Sequence, residues 1–421
     1  MEVYLLPAVV GGGLGDIEEV LAAGRRLARA GYPILLYRPA NDPMPRAVAG
    51  PWAWPPVRRV SVLRPNARSA ITVTPAFGVS AAPERPGAFG RAGPWARAVA
   101  DLEATYGPER TLHVSLEEFA RTLSVRRESS ERFREGGVRA RGIPARVAAA
   151  RASGDEARFR SAFRTFRAFD RPNVLHLFAT FAPDASFARE MPEAVQVGPL
   201  WSGRFNRARP RPPRVRPRWV WYASPASAER IAPAVVEGLR RSGRPVRLEV
   251  RSPRPWRWTL PPEVGTFSTE PVAARSWDRS FADADLRIVT GSRTLLEALE
   301  VGGPFLYFNG VLGAGAARRR HRPEKLTALL AAARRSGVPR ELRRDLADFG
   351  RGRRVAEIVE RAAARRGAWA RFPRRFLHPE FPPSRRDLGR LLLTIARELD
   401  RSDRSAPEIV RAVRREPLGG D

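Results

Sequence analysis

The sequence predicts an α/β protein made of two Rossmann-like domains facing each other across a cleft. Three observations carry that expectation. The chain opens with an apolar segment, a glycine run, an amphipathic stretch and a second apolar segment. A stretch dense in Arg and Pro at 204–218 interrupts it midway. Beyond it, short apolar and amphipathic segments alternate again. Such βαβ alternation commits each half to a parallel sheet, and 421 residues is the length of two ordinary domains.

Residues 2–10 are apolar and extended in character, and Gly11-Gly12-Gly13-Leu14-Gly15-Asp16 breaks them. From 17 to 30 the apolar positions Ile17, Val20, Leu21, Leu27 and Ala28 fall near helical spacing. Gly31 follows, where a helix end favours a residue tolerant of positive φ, and 34–37 reads as a buried strand. Residues 41–94 are rich in Pro, Gly and Trp and yield no firm element. A helix is expected at 95–106, a strand at 111–114, a helix at 116–123, one or two basic helices at 145–169, and strands at 173–178 and 195–197. Pro210, Pro212, Pro213 and Pro217 among Arg residues give 204–218 a semi-extended linker composition. Strands are then expected at 218–222, 246–250, 286–289 and 304–308, with helices at 227–242, 294–301, 350–365, 385–400 and 407–414. The expected division is a first domain over 1–203, the linker 204–218, a second domain over 219–383, and closing helices over 384–421. Two such domains would hold a ligand in the cleft between them, at the carboxyl ends of their strands.

Composition narrows the classes. With 43% hydrophobic residues there is enough apolar material for two cores. No run approaches the roughly 20 apolar residues that span a bilayer, and the start lacks the basic and small-residue marks of a signal peptide. The expected location is cytoplasmic. Without Cys there is no disulfide, no thiolate nucleophile and no Cys-based metal site. The net charge of +31 would favour phosphates, an acidic acceptor or the anionic inner face of a membrane. Yet of 75 basic residues only Lys325 is Lys, and Arg is spread along the whole chain. That uniformity argues for a bias in residue usage over one selected binding face. No nucleic-acid-binding signature accompanies the charge.

The strongest site signal is Ala284-Asp285-Leu286-Arg287-Ile288-Val289-Thr290-Gly291-Ser292-Arg293-Thr294-Leu295-Leu296-Glu297-Ala298, continuing to Gly302-Gly303-Pro304. A buried strand ends in Thr-Gly-Ser and a helix opens at once. Backbone N–H groups and the dipole at such a helix start suit a phosphate. Glu297 lies one turn further on, within reach of a diol beside it. An ordinary βαβ turn with a capping Ser and a solvated Glu is the competing reading.

This segment resembles the donor-binding signature of GT-B glycosyltransferases, in particular the UDP-glycosyltransferases and the N-acetylglucosaminyltransferase of peptidoglycan lipid synthesis. Matched residue by residue, the resemblance implies donor-phosphate contacts at Gly291, Ser292 and Thr294 and a ribose anchor at Glu297. Arg293, Asn309 and His321 join the implied donor-site residues. Arg318, Arg319, Arg320, Arg322 and Lys325, around His321, would neutralise a departing diphosphate, unless they form only a solvated basic helix start. Gly12, Gly13, Gly15 and Asp16 resemble the N-terminal glycine loop of glycogen-synthase-like enzymes and of heptosyl- and arginine rhamnosyltransferases. Through that resemblance Asp16 becomes the candidate general base on the acceptor hydroxyl; the alternative is a helix cap. Retaining members carry a second Glu, with seven residues between it and the ribose Glu. Val289 stands there in this chain, which argues for inversion.

The expected activity is thus sugar transfer from a nucleotide diphosphate donor, inverting and without a metal or other cofactor. The acceptor stays open, lipid-linked and anionic ones both being compatible with the charge. A non-hydrolysing nucleotide-sugar epimerase of the same fold and a non-catalytic polyanion-binding protein remain as alternatives. His113 and His176 lie in expected strands as acceptor-pocket or, preferably, structural histidines. His378 has no evident partner, and no His, Asp or Glu cluster shows metal spacing.

Overall fold

The computed structural model describes residues 1–6, 15–37, 58–60, 67–75, 94–117, 172–179, 194–198, 201, 215–223, 226–252, 255–270, 274–308, 324–373, 376 and 388–415. The chain divides into two units, Met1–Leu200 with Pro382–Asp421, and Trp201–Phe381.

The first unit is built on seven parallel strands: β1 Glu2–Leu5, β2 Ile34–Tyr37, β3 Arg58–Val60, β4 Ala70–Pro75, β5 Thr111–Glu117, β6 Val174–Ala179 and β7 Ala194–Val197. Their order is β3-β2-β1-β4-β5-β6-β7. Helix α1, Gly15–Arg29, connects β1 to β2 and buries Val20, Leu21 and Leu27. Gly24 lets it lie close, since a Cβ there would stand 2.7 Å from Leu5. The helix stops as its sequence requires. The amides of Ala30 and Gly31 donate back to Leu27 and Ala28, and Gly31 takes φ 91°. Helix α2, Pro94–Tyr106, precedes β5.

Two differences from the sequence reading concern this unit. Residues 41–94 contain β3 and β4, neither of which was expected. β4 lies centrally, hydrogen-bonded in parallel to both β1 and β5. The expected helix at 116–123 is overturned at its start, because Leu116 and Glu117 continue β5. Leu116 pairs in parallel with both β4 and β6 and Glu117 with β6, so the sheet takes these residues. The rest of that helix, and the expected helices at 145–169, lie outside the described residues.

The second unit holds five parallel strands: β8 Arg218–Tyr222, β9 Arg247–Arg251, β10 Gly265–Ser268, β11 Leu286–Val289 and β12 Phe305–Tyr307. Their order is β10-β9-β8-β11-β12. α3, Ala232–Arg241, leads from β8 to β9; α4, Ala274–Ala282, from β10 to β11; and α5, Ser292–Val301, from β11 to β12. Three helices follow: α6 Glu324–Arg335, α7 Arg340–Gly350 and α8 Val355–Ala364. α8 packs on α3, where Gly238 lies against Ala356 and Val359 without room for a side chain. The sequence reading missed β10, α4, α6 and α7. It also expected a helix from Gly350; that residue instead ends α7, pressed against Leu326 and the Tyr307 carbonyl.

The closing helices α9, Leu388–Arg401, and α10, Ala406–Arg415, belong to the first unit. Ser69 Oγ donates to the Leu399 carbonyl at 3.4 Å, and Arg414 Nη2 to the Val174 carbonyl at 3.0 Å. α9 buries Leu388, Leu391, Leu392, Ile395 and Leu399, a stripe at helical spacing.

Arg354 and Arg365, on either side of α8, adopt φ 50° and 52°, a region that costs a side chain about 1–2 kcal/mol. Arg365→Gly is expected to raise the stability of this unit by about 0.5–1 kcal/mol. Denaturant melts of both proteins check it.

Candidate functional site

Strand β11 is buried along its whole length. It lies beside β8, yet from β8 the chain proceeds to β9 on one side and from β11 to β12 on the other. The pair β8/β11 is therefore the point at which strand order reverses. In open α/β sheets ligands bind in the crevice outside the carboxyl ends of such a pair.

Polar contacts close the β8/β11 seam at both ends. At the lower end the Arg218 amide donates to Asp285 Oδ2 at 2.8 Å, and the Asp285 amide to the Arg218 carbonyl at 2.7 Å. At the upper end Thr290 Oγ1 donates to the Tyr222 carbonyl at 2.8 Å. Gly291 is extended, at φ −100° and ψ 163°, and α5 begins at Ser292. Thr294 Oγ1 accepts the Gly291 amide at 3.2 Å and donates to the Gly291 carbonyl at 3.1 Å. Gly291's own N–H is thus engaged by Thr294. The first three amides of α5 are those of Ser292, Arg293 and Thr294, positions that lack a partner within the helix itself.

Arg293 and Glu297 occupy successive turns of α5, with 7% and 3% of their surfaces exposed. Arg293 Nε and Glu297 Oε1 are 3.7 Å apart. The competing reading of Glu297 as a solvated surface carboxylate is excluded by this burial. Helix dipole, three leading amides and a guanidinium make the turn suited to an anion, and a carboxylate one turn away can accept from hydroxyls. Gly302 and Gly303, at φ 80° and 78°, end α5 and turn the chain into β12.

Arg287 braces the turn from below. Its guanidinium donates to the carbonyls of Phe281 at 2.7 Å, Ala282 at 3.0 Å and Gly302 at 3.1 Å, and lies 5.5 Å over the Phe281 ring. Burial pushes its pKa down to about 10, with Asp285 and Asp283 opposing that shift. Sequence reasoning missed both this brace and the Thr290 clasp. The visible signal was a lone Arg inside the apolar run Leu286-Arg287-Ile288-Val289.

In the first unit the strand order reverses between β1 and β4. Gly15 opens α1 at the carboxyl side of β1, and Asp16 is its second residue, inside the first turn. Gly12, Gly13, Asn309, His321 and His378 lie outside the described residues, as do the side chains of Asp16, His176 and Ser292. His113 is fully buried: Nδ1 is 2.8 Å from Thr72 Oγ1 and Nε2 3.2 Å from Glu103 Oε1, which also accepts from Asn173 Nδ2 at 2.7 Å. It ties β4, β5 and α2 together, so the acceptor-pocket reading of His113 gives way to the structural one. No group of three or more His, Asp or Glu among the described residues could hold a metal ion. No helix among them is long and apolar enough to cross a membrane.

Fold and site together define a protein of two Rossmann-like α/β units with an anion-suited turn at the switch point of the second. No protein-family model and no curated protein matches the sequence. Among solved structures, Os79 from O. sativa in complex with UDP aligns with 98% of this chain and 99% of its own, at 16% identity and a TM-score of 0.45. Phytolacca americana UGT2, complexed with UDP-2fluoro-glucose and pterostilbene, covers 94% of this chain and 98% of its own, at 10% identity and TM-score 0.48. The calicheamicin glycosyltransferase CalG4 covers 87% and 99%, at 16% identity and TM-score 0.38. Likeness at these scores assigns no role to any residue of this chain.

Removing the Arg287 brace leaves three carbonyls, one buried and two partly buried, without this donor. Arg287→Leu is expected to lower the unfolding free energy by about 3 kcal/mol, at roughly 1 kcal/mol per stranded acceptor. His113→Leu, which removes the ring's contacts with Thr72 and Glu103, is expected to cost about 1–3 kcal/mol. Chemical denaturation of each variant measures both.

Proposed function

We propose that the chain is a glycosyltransferase of GT-B architecture, taking a sugar from a nucleotide diphosphate donor held by the second unit. One observation carries the reading: the turn at the β8/β11 switch point, where Thr290 clasps β8 and α5 opens with Arg293 and Glu297 on its first two turns. The donor diphosphate lies against the amides of Ser292, Arg293 and Thr294. Arg293 neutralises part of the charge that grows on the leaving nucleotide, the task a metal ion performs in other enzymes. Glu297 offers two carboxylate oxygens to the vicinal hydroxyls of the ribose. For Thr294 to touch phosphate, its hydroxyl exchanges the Gly291 carbonyl for a phosphate oxygen.

The acceptor belongs to the first unit in this reading. Gly12, Gly13 and Gly15 let backbone approach the substrates closely, and Asp16 takes the proton from the acceptor hydroxyl as it attacks the anomeric carbon. Inversion follows from a single displacement. Val289, fully buried in β11, stands where a retaining enzyme would carry its second Glu.

Thermal unfolding measured with UDP, GDP, TDP and ADP tests the donor site and names its base, because a ligand that binds the native state raises the melting temperature. At least one is expected to stabilise the protein; no stabilisation by any would end the reading. Glu297→Ala is expected to weaken the stabilising nucleotide by about 10-fold or more, the worth of a charge-assisted hydrogen bond, and to lower the melting temperature of the free protein, since it deprives buried Arg293 of an ion-pair partner. Asp16→Asn is expected to abolish transfer while nucleotide binding persists. Turnover at the wild-type rate would remove Asp16 from the chemistry.

A further inference from the structure

We propose that Arg287 is a positioning residue for the donor turn and acts through its charge: lodged at the carboxyl ends of α4 and α5, the guanidinium cancels their negative poles, so the positive amino end of α5 faces the diphosphate unopposed. The proposal rests on the nucleotide-diphosphate reading above and adds what sets the strength of that turn's hold on an anion.

Topology gives the first reason. α4 and α5 each join strands of one parallel sheet, so both turn their amino ends toward its carboxyl edge. Their carboxyl ends meet at Arg287. Its guanidinium donates to the carbonyls of Phe281 and Ala282, the last two residues of α4, and of Gly302, the residue after α5. A helix carries roughly half a unit charge at each pole. An anion at the amino end is therefore repelled by the carboxyl pole, and a full positive charge bonded there turns that repulsion into attraction.

Burial gives the second reason. Arg287 is 2% exposed, so water and salt screen it little. Its pKa, pushed down to about 10, still lies above neutral, and the guanidinium keeps its charge. Asp285 and Asp283 face the same cation, but both are half-buried and meet water, which damps their fields more than its own. Length gives the third reason. The 10 residues of α5 span about 15 Å. At that separation, in a medium between core and surface, a unit charge changes the affinity of a singly charged group about 5-fold, and that of a diphosphate more.

Two substitutions separate the charge of Arg287 from its hydrogen bonds. Titration calorimetry with inorganic pyrophosphate, UDP, GDP and TDP would compare the wild type with Arg287→Gln, which keeps a donor without the charge, and Arg287→Lys, which keeps the charge without the fork. Arg287→Gln is expected to weaken pyrophosphate about 5–10-fold, and the preferred nucleoside diphosphate in the same direction. Arg287→Lys is expected to stay within about 2-fold of the wild type, since the surrounding carbonyls favour a charged ammonium, although its melting temperature falls too. Asp345→Asn, which loosens the tie to Arg361 and Trp369 elsewhere in the unit, is expected to lower the melting temperature and leave pyrophosphate affinity within about 2-fold. Should Arg287→Gln not fold, Arg287→Met removes the charge with an apolar side chain of similar reach and carries the same expectation. Wild-type pyrophosphate affinity in the neutral variant, or an equal loss in Arg287→Lys or Asp345→Asn, overturns the charge role of Arg287 alone. Failure of the wild type to bind pyrophosphate and every nucleotide overturns the nucleotide reading and this role with it.

Discussion

A single buried guanidinium organises the second unit. Arg287 rises from the middle of a strand, inside the core, where an uncompensated charge would be costly. Its three carbonyl acceptors come from the end of α4 and from the glycine just beyond α5, so one side chain fastens both helices flanking β11. Helix carboxyl ends present unsatisfied carbonyls and the negative pole of the dipole, which makes them suitable receivers for a cation. Once those ends are held, the opposite end of α5 is set at the top of β11, beside β8. The anion-suited turn is thus the far end of a lever whose near end is Arg287.

The same logic recurs elsewhere and changes the meaning of the chain's Arg excess. Arg218 and Arg251 converge on Glu249. Burial alone would raise that carboxyl's pKa, but hydrogen bonds from the two arginines outweigh it and the net direction is down. Asp345, also buried, accepts from Arg361 Nη2 at 2.6 Å and from Trp369 Nε1 at 2.8 Å, joining α7, α8 and the turn that follows. Arginine suits these duties because its planar fork satisfies several acceptors at once. In these places it serves as an internal tie between elements, a different duty from presenting positive charge to a polyanion.

How much was legible depended on whether the signal was local. α1, β2, β8 and β11 were readable because each combines a clear period or an unbroken apolar run with a stop signal, such as Gly31 after α1. β4 was legible in principle: Ile71-Thr72-Val73-Thr74 is an unbroken β-branched run that alternates apolar with polar, but the Pro- and Gly-rich text around it hid the pattern. Leu116 was misassigned because a short apolar run fits either a helix start or a strand end, and only the parallel pairing of β5 with β4 and β6 decides it. The motif from Thr290 to Glu297 announced a strand, a turn and a helix, and also which residues share a face. It could not announce that the Gly291 amide would be taken by Thr294, or that Glu297 would be buried against Arg293.

By itself, then, the sequence determined two βαβ-rich halves, the break between them, and the residue types gathered after β11. These are consequences of period, turn chemistry and spacing, which act over a few residues. Only the tertiary structure decided that β11 pairs with β8, making that turn a switch point, that Arg287 points into carbonyls, and that α9 and α10 return to the first unit. Each of those outcomes joins residues far apart in the chain, such as Arg414 with Val174. It depends on which buried polar groups can satisfy one another, and no local pattern encodes that choice.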